Sequence, residues 1–303
     1  KIKKTQWLNN YLHSTKLKDV DLIIELIGGA EGPAKKLVFD ALKNKKHVVT
    51  ANKALIAKHG DKLALIAEKN KVNLEYEASV CGGVPIIRSI KEGLIANKVT
   101  KVYGILNGTS NFILSSMDKD NISFNEALIK AQNLGYAESN PISDLNGDDV
   151  SAKVKILSSL CFNSFINNSI HVEGIKDIDK IDIQNANKLG YKVKLLGFSE
   201  LINKKICQRV HPVMIKSNSY IAGINGVLNA VIIEGKPVGQ SVMQGEGAGP
   251  GPTSSSLLSD LFSIMRGNKK FPFGISSKKR KHIRVFNNNK YSNSLYLRFE
   301  VKD

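Results

Sequence analysis

Residues 20–50 read VDLIIELIGGAEGPAKKLVFDALKNKKHVVT. An apolar run over 20–27 stops at Gly28 and Gly29. Pro33 then opens an amphipathic stretch that closes on Lys43, Lys45 and Lys46, and a second apolar run follows at 47–50. Proline suits a first helical turn because its missing N–H would have no intrahelical partner there. Lysines suit the last turn, where free carbonyls carry negative potential. Strand, glycine turn, basic-ended helix and strand together predict one right-handed βαβ unit. Residues 61–71 and 72–76 repeat the pattern as a helix and a third strand. The chain therefore reads as α/β, opening with a partial doubly wound (Rossmann-type) parallel sheet.

Ligands of such sheets bind beyond the carboxyl ends of the strands, where residues 26–29 and 50–53 fall. Lys53 can reach a ligand from there, or it can be a solvated lysine at a helix start; position alone leaves both open. The Gly-x-Gly-x-x-Gly phosphate loop that should follow the first strand of a dinucleotide fold does not occur in the chain. Position 1 is lysine, not methionine. With no earlier strand to pair beside residues 20–27, the expectation is a fragment of a longer protein.

Past residue 75 the texture changes. The segment 75–94, EYEASVCGGVPIIRSIKEGL, places a carboxylate, two glycines and a proline ahead of a helix. Main-chain carbonyls converging with Glu77 suit a hard cation; a tight turn feeding a helix capped by Pro85 is the simpler alternative. Residues 99–106 read as a strand leading into NGTSNFIL, where Asn107 and Gly108 turn into a helix. Ser123 and Glu126 form a capping box. Residues 206–215 and 227–233 read as further strands, so an α+β domain follows the α/β one. Residues 245–265, GEGAGPGPTSSSLLSDLFSIM, set Gly245, Gly247, Gly249 and Gly251 before a helix whose N-terminus either faces a phosphate or nicotinamide or follows a flexible loop.

Chemistry concentrates in residues 135–153, GYAESNPISDLNGDDVSAK. Asn146 and Gly147 make a turn, and Asp148 and Asp149 occupy the first turn of a helix, where carboxylates complement the dipole. Asp149 and Lys153 stand one turn apart on one face. The carboxylate can orient the ammonium as a general acid or base, although the same spacing fits an ordinary solvated pair. Glu138 and Asp144 lie upstream of the helix start. So many acids in a short span repel one another unless something cationic sits among them.

A net charge of +17 invites a nucleic-acid partner. The lysines are dispersed and the 7% aromatic content offers no stacking platform, so none is expected. The basic cluster Lys278, Lys279, Arg280, Lys281 reads as a solvated linker. Apolar runs are strand-length, so no membrane span is expected. Cys81, Cys161 and Cys207 lack disulfide or metal spacing, which suits a reducing compartment; the expected location is cytoplasmic. The histidines show no metal spacing, and no nucleophile triad is legible.

Taken in order, EASVCGGVPIIRSIKEGL (77–94), GILNGTSNFIL (104–114), GYAESNPISDLNGDDVSAK and GEGAGPGPT (245–253) closely resemble the homoserine dehydrogenases, over residues 20 to about 273. The resemblance implies NAD- or NADP-dependent interconversion of L-homoserine and L-aspartate 4-semialdehyde. It implies that Lys153 is the catalytic proton carrier, with a pKa brought toward neutrality by desolvation that outweighs the carboxylate, that Asp149 holds it, and that Lys53 lies near both cofactor and substrate. Glu138 would bind the substrate, with Asp144 on its amino group. Ile27, Gly28, Lys53, Gly247 and Gly249 would line the cofactor, and Glu77, Val80, Gly82 and Val84 a sodium-type cation, with Cys81 where glycine is expected.

The implied domains are 1–75 (partial dinucleotide-binding), 76–242 (catalytic and dimerisation), 243–270 (returning to the first) and 271–303 (linker, then the opening strand of a truncated ACT domain at 293–303). The implied assembly is a homodimer or homotetramer. Lacking the glycine loop, the chain as written should bind dinucleotide poorly. Two alternatives stand beside this reading: another NAD(P)-dependent oxidoreductase of small carbonyls, and a non-catalytic basic binding protein.

Overall fold

The computed structural model describes residues 5–287, 291–299 and 301. Strand β1 (Leu22–Glu25), helix α1 (Pro33–Lys43), β2 (His47–Thr50), α2 (Lys53–Asn70) and β3 (Leu74–Glu75) build a parallel sheet in the order β1-β2-β3. Register runs Leu22 to His47 and Val48 to Leu74. Pro33 stands in the first turn of α1, as its restricted φ favours.

Three details differ from the sequence reading. Helix α2 starts at Lys53, not at 61, because the Asn52 side chain accepts the Leu55 N–H at 2.9 Å and caps it there. Gly60 therefore lies inside the helix, where a Cβ would come within 3.0 Å of the Phe273 ring. The run 20–27 is a strand only over Leu22–Glu25, with Ile24, Leu26 and Ile27 exposed, since among the described residues β1 pairs on one side alone. Strand β3 is short because the chain turns into a 3-10 helix at Glu77–Ser79.

After α3 (Ile86–Arg88), continued as a π-turn over Ser89–Gly93, come β4 (Lys98–Ile105), α4 (Gly108–Asp120), α5 (Phe124–Asn133), α6 (Ile142–Leu145), α7 (Asp148–Cys161), β5 (His171–Val172), α8 (Lys180–Lys188), β6 (Tyr191–Ile202), β7 (Lys205–Lys216), β8 (Leu228–Lys236), β9 (Gly239–Glu246) and α9 (Pro250–Met265). The strands form a mixed sheet in the order β5-β7-β6-β4-β8-β9, antiparallel except for β5 with β7. The Ser123–Glu126 capping box opens α5 as expected.

Helix α7 lies directly on this sheet. A Cβ on Gly197 of β6 would meet Val154 at 2.5 Å and Val150 at 2.8 Å, so the missing side chain lets the helix bearing Asp149 and Lys153 sit close to the strands. One apolar core, from Val48 and Leu55 through Tyr76 and Ile86 to Val150 and Val231, runs unbroken through both sheets.

The cluster 278–281 is not a solvated linker throughout. Arg280 is buried, stacks on Phe273 and Phe165, and pairs with Asp61 at 2.7 Å. Residues 291–299 carry no regular structure, so the strand expected from 293 does not form over them; a strand needs a neighbour to pair with, and none of the described strands runs beside it.

Candidate active site

The carboxyl end of β4 supplies the floor of the site. Leu106 follows the strand directly, and its carbonyl accepts a hydrogen bond from Lys153 Nζ at 2.6 Å. Asn107 caps α4, its Oδ1 accepting the Ser110 N–H at 2.8 Å. Its Nδ2 donates to Asp144 Oδ1 at 2.7 Å and to Asp149 Oδ2 at 2.9 Å.

Asp149 is the centre of the array. Lys153 Nζ lies 2.7 Å from one carboxylate oxygen and Lys53 Nζ 2.9 Å from the other. Lys53 reaches it from the first residue of α2, so a carboxylate of the mixed-sheet part binds a lysine at the carboxyl edge of the parallel sheet. Asp149 and Lys153 are both buried, whereas the Lys53 side chain is 43% exposed and faces solvent. The solvated pair that the spacing also allowed is thus excluded for Asp149 and Lys153.

Burial alone would push the Asp149 carboxyl up, but Lys153, Lys53 and the Asn107 amide hold it well below the usual carboxylate range. For Lys153 the sequence expectation fails. Burial pulls its ammonium down, yet the Asp149 charge and hydrogen bond win and its pKa lies above the ordinary lysine value. The carboxylate stabilises the charged form at hydrogen-bond distance, where desolvation no longer decides. Burial and the Asp149 charge raise the Asp144 carboxyl, against the Asn107 hydrogen bond.

Glu138 is exposed, on the loop between α5 and α6, and forms no ion pair among the described residues. That loop is tied to the first turn of α4 by the Thr109 hydroxyl donating to the Tyr136 carbonyl at 2.7 Å and by Tyr136 packing on Phe112. Glu138 therefore belongs to a loop fastened beside Asn107 without touching the lysine pair.

The two glycine segments meet in the same region. Gly83 N–H donates to the Glu246 carbonyl at 2.9 Å, and Ser256 Oγ donates to the Gly82 carbonyl at 2.6 Å. Gly247 packs on Asn229 so closely that a Cβ would lie 2.0 Å from the amide nitrogen. Gly249 (φ 109) caps α9, and Gly28 (φ 84) has open space where a Cβ would be. Glu25, buried, accepts the Ile27 and Gly28 N–H groups at 2.7 and 2.9 Å and the Thr50 hydroxyl at 2.6 Å, so the turn after β1 is fixed in shape.

Glu77 is buried beneath the 77–84 turn. Its carboxylate accepts the Ile87 and Arg88 N–H groups at 2.8 and 2.7 Å, and burial, with Asp260 nearby, pushes it up to about 7. Cys81 has φ 55, a left-handed conformation that favours glycine, which is the residue the resemblance called for. Its thiol is buried and raised by that burial, with Lys153 acting the other way.

Asn107, Leu106 and Glu25 are the site residues that sequence reasoning missed. Asn107 was visible as a helix-starting residue but carried no sign of its two carboxylate partners. Glu25, a lone acid within an apolar run, was a signal that could have been used.

A two-part α/β chain with a lysine-aspartate-lysine array spanning its two sheets has close counterparts. The family model described as "Homoserine dehydrogenase" matches residues 85–262, and that described as "Homoserine dehydrogenase, NAD binding domain" matches residues 3–77. The homoserine dehydrogenase of Neisseria gonorrhoeae is 44% identical over 250 residues, 82% of this chain and 57% of that protein. That of Bacillus subtilis is 39% identical over 290 residues, 94% and 66%. A solved homoserine dehydrogenase from Thiobacillus denitrificans superposes with a TM-score of 0.88 at 38% identity, covering 92% of this chain and 66% of that one. A hyperthermophilic archaeal homoserine dehydrogenase in complex with NADPH, 23% identical, shares the fold with a TM-score of 0.77. The chain belongs to the homoserine dehydrogenase family. It spans 57% to 66% of the length of these two curated relatives. Among the described residues, no helix is long and apolar enough to cross a membrane.

Proposed function

We propose that the chain supplies the proton-transfer and substrate-binding machinery of an NAD(P)-dependent homoserine dehydrogenase, interconverting L-homoserine and L-aspartate 4-semialdehyde. The observation that carries this reading is the buried Lys153 ammonium, held between the Asp149 carboxylate and the Leu106 carbonyl with Lys53 on the carboxylate's other oxygen.

In reduction, Lys153 gives a proton to the aldehyde oxygen as that oxygen becomes a hydroxyl; in oxidation the neutral amine takes it back. Asp149 keeps the ammonium charged and aimed. Lys53, partly exposed on the same carboxylate, offers a second positive group to the substrate carboxylate or carbonyl oxygen. Asp144 and Glu138 offer negative charge to the substrate ammonium. The four groups Lys53, Lys153, Asp144 and Asp149 balance in charge, which suits a zwitterionic amino acid, and Glu138 adds the negative charge that selects for its ammonium.

A nicotinamide dinucleotide fits the turn at Ile27 and Gly28 and the loop at Gly247 and Gly249: open space beside Gly28 and Gly249 lets a ligand approach the backbone closely, while Gly247 lets the loop pack on Asn229. When bound, the nicotinamide supplies hydride in reduction and accepts it in oxidation. A monovalent cation at the 77–84 turn is also part of the proposal, with Glu77 and the main chain of Val80, Gly82 and Val84 around it. Its electrostatic support is a buried Glu77 carboxylate that forms no ion pair among the described residues; the Gly82 carbonyl, already taken by Ser256, has one lone pair left for it. The reading further includes a homodimer or homotetramer in the cytoplasm.

The test is direct. Purified protein is incubated with homoserine and NADP or NAD while the reduced cofactor's absorbance is followed. Absorbance growth that requires homoserine supports the reading, and oxidation of another small alcohol with none of homoserine overturns it.

A further inference from the structure

The Asn107 side chain has only one amide nitrogen, and both its protons are committed to carboxylates that the proposed reaction uses for different purposes. One goes to Asp144, on α6, and the other to Asp149, on α7. Its oxygen is committed as well, to the Ser110 N–H that opens α4. The residue is 5% exposed and sits between the Leu106 carbonyl that holds Lys153 and the helix that follows. Three elements thus converge on one planar group whose rotamer is fixed at both ends.

We infer that Asn107 is a positioning residue that locks the substrate-ammonium carboxylate Asp144 and the proton-holding pair Asp149–Lys153 into one rigid spacing. The inference rests on the proposed function for the roles of the two acids, and on the geometry alone for the coupling between them. A neutral donor is the group this position needs. Asp144 and Asp149 repel each other, and each is faced by the same cations, Lys153 from α7 and Lys53 from α2. A cation in place of Asn107 would compete with the substrate ammonium for Asp144. An acid would add a third negative charge. An amide lowers both carboxyls without either consequence, because a hydrogen bond to the charged form favours that form.

The N-cap role is separable from the bridge. Serine and aspartate cap helices about as well as asparagine, but serine is too short to reach both acids and aspartate replaces the donor with an acceptor. The full chain is compared as wild type, Asn107→Ser and Asn107→Asp. One readout is the titration midpoint of the Asp144 carboxyl, followed by NMR of aspartate-labelled protein without substrate. The other is kcat/KM for homoserine across pH.

The expected result is an Asp144 midpoint about one unit higher in Asn107→Ser and higher still in Asn107→Asp. The acid limb of kcat/KM should move up in step, and activity should fall about 10- to 100-fold in the serine variant, with melting temperature close to wild type. Unmoved midpoints overturn the inference, as does a loss of melting temperature in both variants with no change in pH profile. Shifted midpoints in a protein that binds NAD(P) by fluorescence titration yet does not oxidise homoserine at all leave the spacing role standing and overturn the proposed function instead.

Discussion

Lys53 Nζ and Asp149 Oδ1 meet at 2.9 Å, although one begins a helix behind the parallel sheet and the other begins the helix that lies on the mixed sheet. The buried carboxylate is thereby shared between two lysines of unequal exposure. Lys153 has its carbonyl and carboxylate partners inside the protein, while Lys53 keeps a solvent-facing side from which a ligand can reach it. The contact makes the two parts of the chain one site.

Replacing Lys153 with alanine removes the proposed proton carrier. The expected outcome is a fall in kcat of about 10²- to 10⁴-fold, with cofactor affinity close to wild type by fluorescence titration. If binding fell as far as turnover, the residue would be structural. Because the substitution leaves Asp149 buried with Lys53 as its remaining lysine partner, stability should drop too, and a thermal melt separates that loss from the kinetic one.

Lys153 is held above the ordinary lysine pKa, with burial opposing and Asp149 prevailing. Near neutral pH it is therefore charged, which in the proposed reaction suits proton donation in aldehyde reduction, whereas homoserine oxidation would need the rarer neutral amine. Oxidation should climb steadily with pH through the alkaline range while reduction stays level around neutrality. In Asp149→Asn desolvation is opposed only by Cys81 and Asp144, so the rise in oxidation should begin at lower pH. Identical profiles for the two proteins would remove Lys153 from the proton path.

Glu138 carries no ion pair among the described residues and is exposed, so removing its charge should disturb binding more than folding. Glu138→Gln is expected to raise the KM for homoserine about tenfold or more, with kcat and melting temperature changed little. A kcat effect with unchanged KM would assign it a different role.

Glu77 binds its proton up to about pH 7 in the folded chain, against an ordinary value of 4.5. Its folded pKa is the higher one, so the folded state holds a proton that the unfolded state has lost, and stability decreases as pH rises between those values. Asp149 titrates lower, and its contribution lies outside this window. Denaturant melts should therefore show wild type losing stability relative to Glu77→Gln across the window. Sodium in place of tetramethylammonium should shrink that loss if a cation binds at the 77–84 turn. Equal slopes in both salts would rule the cation out.

Arg280 is buried on Phe273 with Asp61 at 2.7 Å and the Ser164 carbonyl at 2.7 Å. Arg280→Ala leaves Asp61 with the Ile166 N–H but no cation and empties the space between Phe273 and Phe165, so a cost of about 2–4 kcal/mol is expected in denaturant melts, with the KM for homoserine unchanged. A neutral substitution would return residues 278–281 to the solvated linker first read there.

By itself the sequence determined the order of the opening strands and helices, though not all their bounds, and the chemistry-bearing residue types. Periodicity, Pro33, the 28–29 glycines and the basic helix end fixed the βαβ unit, because these are local preferences that act within a few residues. The four-residue spacing put Asp149 and Lys153 on one face, and motif resemblance gave the family. Tertiary structure decided what those residues do to one another. That α2 begins at Lys53 and delivers it to Asp149, that Asn107 bridges two acids, and that Asp149 overcomes desolvation at Lys153 all depend on distances between segments remote in the chain. Electrostatic balance inside a protein turns on a few tenths of an ångström and on what excludes water, and neither quantity is written in the order of the residues.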